Sequence, residues 1–380
     1  MSRSSFQARS QARLRGVKLE TEVALAGLTT LGLGGPARFV VTPADEAEVR
    51  LAHDWARSSR LPLVVLGGGS NLVAGDAGWG GVVLRAGRLR GEVVEVRGDE
   101  VWVTAAAGEP WDAWVASCVG RGWAGVECLA GIPGLVGATP IQNVGAYGQE
   151  VSETIRAVRV FDRTRDSVVT LGVEDCGFGY RDSVFRRSPD RFIVLAVTFG
   201  LRPGGKAAVR YAELAAVLAA EDAVAGAVAV DVDLARVSQA VRRLRRGKSM
   251  LLDDPDDENR RSVGSFFTNP MVSPAEATAT EGRAIGLGVL VPPARMPQFP
   301  GSDGRVKLSA AWLIERAGFL KGHRHGAVGI STRHALALVH HGGGTTAELL
   351  ELARAIRDAV HLRFGVELRP EPVFLGTSWT

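Results

Sequence analysis

Five short stretches combine residue types that can do chemistry. Residues 66–72 (LGGGSNL) set Gly67, Gly68 and Gly69 directly after an apolar run and before Ser70, Asn71 and Leu72. Consecutive glycines permit positive φ and let several backbone N–H groups converge on one point. That concavity suits a phosphate or pyrophosphate, and a tight surface turn suits the same letters equally. The pattern is not G-x-G-x-x-G and no helical pattern follows it, which disfavours a Rossmann site. Residues 131–148 (GIPGLVGATPIQNVGAYG) hold five glycines and two prolines among apolar residues, with no charge. A solvated loop would be polar. This one reads as a partly buried loop whose small side chains leave the backbone open to a large flat ligand, or as a buried structural loop. Two such loops suggest a two-part dinucleotide site, one for the pyrophosphate and one for the ring.

The other three stretches are shorter. In residues 177–183 (GFGYRDS), Arg181 stands between an aromatic and an acid in a turn, where it can be held rigidly; its fork suits a carboxylate, and a surface ion pair is the plain alternative. In residues 264–270 (GSFFTNP), Ser265 sits beside Phe266 and Phe267, a setting that excludes water. It can donate a proton there, or simply satisfy its own backbone; no G-x-S-x-G elbow surrounds it, which argues against a hydrolase nucleophile. In residues 369–373 (RPEPV), Glu371 between two prolines is a carboxylate on a fixed extended backbone, or a solvent-facing residue.

Other candidates carry less. His323 with His325, and His340 with His341, lack accompanying acids or cysteines at metal spacing, so no metal site is expected. The acidic run 253–258 lacks the glycine and spacing of an EF-hand. The run 242–248 (RRLRRGK) can hold a phosphate at a helix end or form a basic helix face. Cys118, Cys128 and Cys176 match no zinc or CxxC spacing, and three is an odd number for a disulfide framework. They read as small core residues of a cytoplasmic protein.

These residues need a scaffold, and the chain has one. Its 380 residues, 46% hydrophobic and 23% charged, exclude wholesale disorder and suffice for a core without staples. No uninterrupted apolar stretch is long enough to span a membrane. Part of the +4 net charge sits in the first nineteen residues, which hold five basic residues and no acid. Residues 1–22 are read as a disordered basic tail; the near-neutral remainder gives no nucleic-acid footprint. The patterning predicts helices over 45–60 (its N-terminus signalled at Thr42), 211–222, 231–246 (closed by Gly247), 309–317 and 345–365, and one opening at 108–111. It predicts strands over 61–66, 82–85, 92–97, 101–105, 158–162, 167–171, 192–201 and 333–341, and a loop-rich 126–148. The fold class is α+β, strand-rich first and helix-richer after about residue 203.

In chain order, residues 66–72, 107–111 (AGEPW), 132–148, 176–185 (CGFGYRDSVF), 264–270, 307–318 (KLSAAWLIERAG) and 369–374 (RPEPVF) resemble the UDP-N-acetylenolpyruvoylglucosamine reductase family, flavoenzymes of peptidoglycan synthesis. The resemblance spans residues 23–376. It implies a two-subdomain FAD-binding region of the vanillyl-alcohol oxidase type plus a C-terminal α+β substrate domain. The implied boundaries are 23–86 completed by 366–380, then 87–247, then 248–365. FAD is implied as tightly but non-covalently bound and NADPH as the hydride donor, with an enolpyruvyl nucleotide sugar as substrate, in a monomer without nucleic-acid or membrane partners.

The resemblance also assigns residues. Gly67, Gly68, Gly69, Ser70, Asn71 and Leu72 fall at the FAD pyrophosphate. Ile132, Pro133, Gly134, Thr139, Pro140, Gln142, Asn143, Gly145, Ala146 and Tyr147 fall at the flavin region. Ser265 maps onto the proton donor to C2 of the substrate; Arg181 and Glu371 map onto the pair that handles the enolic charge. Tyr211 matches the substrate-binding tyrosine, Lys248, Asn269 and Tyr180 match positions near the substrate's phosphates and carboxylate, and His334 stands where some members carry Gln. An oxidase of the same fold is the competing reading. It typically carries a histidine for covalent flavin, and residues 62–148 contain none. A binder that has lost its chemistry would lack Ser265, Arg181 or Glu371, and all three are present.

Overall fold

A computed structural model describes residue 14 and residues 16–225, 233–301 and 303–379, and within it the chain packs as two compact units. The first holds residues 16–23, Ala37–Gly68 and Gly80–Leu251; the second holds Ala24–Pro36, Gly69–Trp79 and residues 252–379. The expected tail lies mostly outside the described residues, but its end is structured. Lys18–Ala24 is a strand, and Leu14 and Val17 are buried beside it. The basic residues had masked an apolar alternation through Val17 and Leu19.

In the first unit a small sheet runs in the order Lys18–Ala24, Pro36–Thr42, Trp79–Arg85, Leu63–Leu66, the last two parallel. The helix Glu46–Ser58 packs on it, with Trp55 edge-on to Phe39 at 5.3 Å. Its N-cap is Asp45 rather than Thr42, because the Asp45 carboxylate accepts the Glu48 N–H at 2.8 Å. A larger antiparallel sheet runs in the order Ser167–Gly172, Ile155–Asp162, Phe192–Pro203, Glu100–Ala106, Glu92–Arg97. The helix Trp111–Gly120 buries Trp111 and Trp114 against Phe199, the latter ring at 4.5 Å. Such ring pairs contribute roughly 0.5–1.5 kcal/mol beyond their buried area. Two more helices follow, Ala212–Ala225 and Leu234–Gly247; residues 231 and 232 of the second expected helix lie outside the described residues. Gly247 does not close that helix: Lys248 is its C-cap, and the left-handed residue is Ser249, at φ +54°.

The second unit is built on the antiparallel sheet Ser262–Ser265, Ala337–His340, Val328–Ile330, Arg324–His325. The strand expected over 333–341 is only Ala337–His340. Residues before it form a turn in which the Ser331 hydroxyl accepts the N–H groups of Arg333 and His334. The helix Thr346–Phe364 opens with a capping box, Thr345 with Glu348, and closes at Gly365 with φ +70°. Ala310–Arg316 is capped by Ser309. The helix Pro274–Gly286 was not expected, although Ser273 and Glu276 form a full capping box before it. Leu72–Ala74 and Val373–Leu375 pair in parallel, which fixes the C-terminal segment beside the first glycine-rich loop. The architecture is α+β throughout. Cys118, Cys128 and Cys176 are free and buried, and burial pushes each thiol up to about 12.

Candidate active site

In the first unit the strand Leu63–Leu66 delivers Gly67 and Gly68. A Cβ on Gly68 would stand 2.8 Å from the Gly134 Cα, so the two glycine-rich loops meet backbone to backbone. The second loop rests on residues 107–111. The Gly137 N–H donates to the Ala107 carbonyl and the Val136 N–H to that of Glu109, both at 2.9 Å; the Trp111 N–H donates to the Gly134 carbonyl at 3.1 Å. A Cβ on Gly137 would lie 2.5 Å from that of Ala107. Ile132 and Pro133 are half-buried here and Pro140 is buried.

The polar side chains of this loop are spent on holding it. The Thr139 hydroxyl donates to the Val136 carbonyl at 2.8 Å, and the Gln142 Oε1 accepts from Arg186 Nη1 at 2.7 Å. Buried Asn143 donates from Nδ2 to Glu150 Oε2 and the Gly179 carbonyl, and accepts the Ser152 N–H. Gly145 and Ala146 pair with Gln149 and Glu150 across a two-residue turn, Tyr147 (φ +49°) and Gly148 (φ +81°), both left-handed.

Arg181 is held against this same loop. Its Nη2 donates to the Gly145 carbonyl at 2.6 Å and its Nη1 to that of Asn143 at 3.4 Å. It occupies a tight turn closed by reciprocal bonds between Gly179 and Asp182, with φ +53°. The guanidinium also lies 5.6 Å from the Tyr180 ring. The acid beside it, Asp182, pairs with Arg187. Three of the eight described non-glycine residues with positive φ are thus Asn143, Tyr147 and Arg181. Strain of this kind concentrates where geometry is functional.

Farther along the unit, Tyr147 meets Tyr211 edge-on at 5.6 Å, and the Lys248 ammonium lies 5.8 Å from the Tyr147 ring centroid. Burial pushes the Tyr147 hydroxyl up to about 12 and raises that of Tyr211. Buried Arg245 donates to the carbonyls of Gly131 and Met250, both at 3.0 Å, and pins the start of the second loop. Arg245 belongs to the basic run 242–248 and here holds backbone carbonyls; Arg186 and Glu213 escaped the sequence reading, because Gln142 and Lys248 lie far along the chain from them.

The second unit holds the rest. Gly69 has φ +69°, and a Cβ there would lie 2.0 Å from the Leu28 carbonyl oxygen. Ser70 and Asn71 follow; the Asn71 carbonyl accepts the Val373 N–H at 3.0 Å, and Leu72 opens the parallel pair. Ser265 ends its strand after Gly264, and its Oγ lies 3.4 Å from His334 Nε2. Phe266 and Phe267 are buried and pack on Trp379. Residues 266–268 run antiparallel to 369–371: the Glu371 N–H donates to the Phe266 carbonyl at 2.9 Å, and the Thr268 N–H to that of Arg369 at 3.0 Å. Ser265 and Glu371, far apart in sequence, therefore stand on adjoining segments. Asn269 accepts the Ala310 N–H through Oδ1 at 3.0 Å, which ties it to a helix start.

The donor set fits FAD. At Gly68 and Gly69 the backbone is closed to any side chain, as a pyrophosphate cradle requires, and the second loop is glycine-rich with Thr139, Gln142 and Asn143 held on neighbouring residues. A family model described as FAD binding domain matches residues 37–172, which places the chain among the FAD-binding flavoproteins. A second, the C-terminal domain of UDP-N-acetylenolpyruvoylglucosamine reductase, matches residues 254–375. The reductase of that name from Saccharopolyspora erythraea is 52% identical over 93% of this chain and 94% of its own. The one from Thermobifida fusca is 50% identical over 94% and 98%. The crystal structure of the Thermus caldophilus enzyme aligns over 94% of this chain and 98% of its own, with a TM-score of 0.61 at 26% identity. The chain belongs to the UDP-N-acetylenolpyruvoylglucosamine reductase family.

Proposed function

We propose that this chain uses NADPH and FAD to reduce UDP-N-acetyl-3-O-(1-carboxyvinyl)-glucosamine to UDP-N-acetylmuramate, with Arg181, Ser265 and Glu371 as its catalytic residues. The reaction is that of the family, a step in peptidoglycan synthesis. The glycine-rich loops 66–72 and 131–148 would hold FAD, which would carry the hydride from NADPH to C3 of the enolpyruvyl group. Negative charge then develops at C2 and spreads into the neighbouring carboxylate. Arg181, fixed by two backbone carbonyls, presents a permanent positive charge to that carboxylate. Glu371 bonds to its enolic form. Ser265 Oγ gives its proton to C2; His334 Nε2 lies 3.4 Å from that hydroxyl, within reach of it.

A serine hydroxyl is a very weak acid in water, so only a strongly basic centre takes its proton. A C2 carbanion is such a centre, and buried Phe266 and Phe267 keep competing water away. Fixed donors aimed at developing charge are usually the largest catalytic contribution. The bond from the Glu371 N–H to the Phe266 carbonyl supports the assignment best, since it sets residue 371 beside the serine's own segment.

The remaining substrate contacts in this reading are Tyr180, Tyr211 and Lys248, with Asn269 and His334. Domain roles follow the sequence reading: 23–86 completed by 366–380, and 87–247, hold FAD, while 248–365 binds substrate. The parallel pair of Leu72–Ala74 with Val373–Leu375 supports the completion. A cytoplasmic monomer completes the proposal. In support, the three cysteines are free, and among the described residues no helix is long and apolar enough to cross a membrane. The test is Glu371→Gln under anaerobic stopped flow. Bleaching by NADPH should match wild type, while reoxidation by the enolpyruvyl nucleotide should slow by about a hundred-fold or more. Reoxidation at the wild-type rate would remove Glu371 from the chemistry.

A further inference from the structure

We infer that Glu213 tunes the affinity of the nucleotide site, as a resident anion on Lys248 that an incoming phosphate must displace. The inference rests on the assignment of Lys248 to the substrate's phosphates. Glu213 lies in the first turn of the helix Ala212–Ala225, two residues after Tyr211. Its Oε2 is 2.7 Å from Lys248 Nζ. The ammonium is thereby drawn to 5.8 Å from the Tyr147 ring centroid, and Tyr147 in turn meets Tyr211. Lys248 is anchored at its backbone, whose N–H donates to the Arg245 carbonyl at 3.1 Å beside the left-handed Ser249. The lysine side chain is 30% exposed and that of Glu213 40%, so the pair is open to a ligand.

The chemistry follows from charge. A lysine ammonium is a compact point charge without the fork of arginine, so it answers mainly to the charge of its partner. Glu213 brings one negative charge; a nucleoside diphosphate brings more and can take its place. A ligand without phosphate cannot. Glu213 therefore competes with the phosphate for one ammonium and lowers the affinity of the site for a phosphate-bearing ligand, while a ligand that does not reach Lys248 is unaffected. The neighbouring charges are already engaged: Arg210 pairs with Glu153, and Arg243 with Glu221.

A double-mutant cycle tests this on the oxidised holoenzyme, with uridine diphosphate and uridine as calorimetric probes. Glu213→Gln keeps the volume and a hydrogen-bond acceptor but removes the charge. It should tighten uridine diphosphate binding by about two- to five-fold, the range of a partly exposed ion pair, and leave uridine unchanged. In a Lys248→Ala background the same change should have no effect. Glu213→Ala repeats the test should the glutamine variant fail to fold, and flavin content and thermal midpoint report folding. Unchanged or weaker diphosphate binding by both Glu213 variants overturns the role of Glu213. If Lys248→Ala itself leaves diphosphate affinity unchanged, the assignment of Lys248 falls, and this inference with it.

Discussion

Gly68→Ala is a perturbation whose size can be worked out. The added Cβ would stand 2.8 Å from the Gly134 Cα and 3.4 Å from its carbonyl carbon. Carbon atoms pack comfortably at about 3.5–4.0 Å, so the shortfall is roughly 0.7–1.2 Å. Both partners are backbone, and neither can rotate away. Overpacking of this kind costs about 1–3 kcal/mol. For a protein of this size that is about 1–4 °C in thermal midpoint. The neighbouring Gly67→Ala is the control: its Cβ would meet the Ala138 Cβ at 3.6 Å, an ordinary contact. It should change apoprotein stability by less than about 0.5 kcal/mol. The assay is thermal and urea unfolding of both apoproteins, followed by titration of each with FAD. Gly68→Ala should also lose FAD affinity, because it moves the two loops apart. A Gly68→Ala protein as stable as wild type, or a Gly67→Ala protein equally damaged, would refute the close approach of the loops.

Three further expectations are simpler. Arg181→Lys cannot reach both the Asn143 and Gly145 carbonyls, so substrate-dependent reoxidation should fall about ten- to hundred-fold while the NADPH half-reaction is unchanged; stopped flow separates the two. The three cysteines should resist a thiol reagent at pH 8 in the native protein and react only after denaturation. Because folding raises their thiols from about 8.5 to about 12, their contribution to stability is intact below pH 8.5 and is lost as pH climbs towards 12. Thr345→Ala should cost roughly 0.5–2 kcal/mol, read by denaturant titration, since it removes the acceptor of the Glu348 N–H.

What the sequence discloses here is local. Capping boxes, the strand alternation of 92–97 and the two glycine-rich loops are short-range patterns, and they appear where expected. Boundaries moved where a side chain outside the pattern competed: Asp45 captured the cap expected at Thr42, and Ser331 held residues 333 and 334 out of a strand. Long-range pairings left no local mark. Nothing near Arg181 announces that carbonyls at 143 and 145 hold it, or that Asp182 turns to Arg187. The loop from 131 to 148 was legible as small and apolar, yet its polar members were read as ligand contacts when Thr139, Gln142 and Asn143 also tie the loop together. The helix Pro274–Gly286 had a readable start, Ser273-Pro274-Ala275-Glu276, that its position between two motifs obscured.

The central claim is that Ser265 protonates C2. It is tested most directly by anaerobic reoxidation of the NADPH-reduced Ser265→Ala protein with the enolpyruvyl nucleotide. Flavin reduction should proceed at the wild-type rate, and reoxidation should slow by about 10²–10⁴-fold, the usual contribution of a positioned acid. Reoxidation within a few-fold of wild type would contradict the assignment and move the proton to another group.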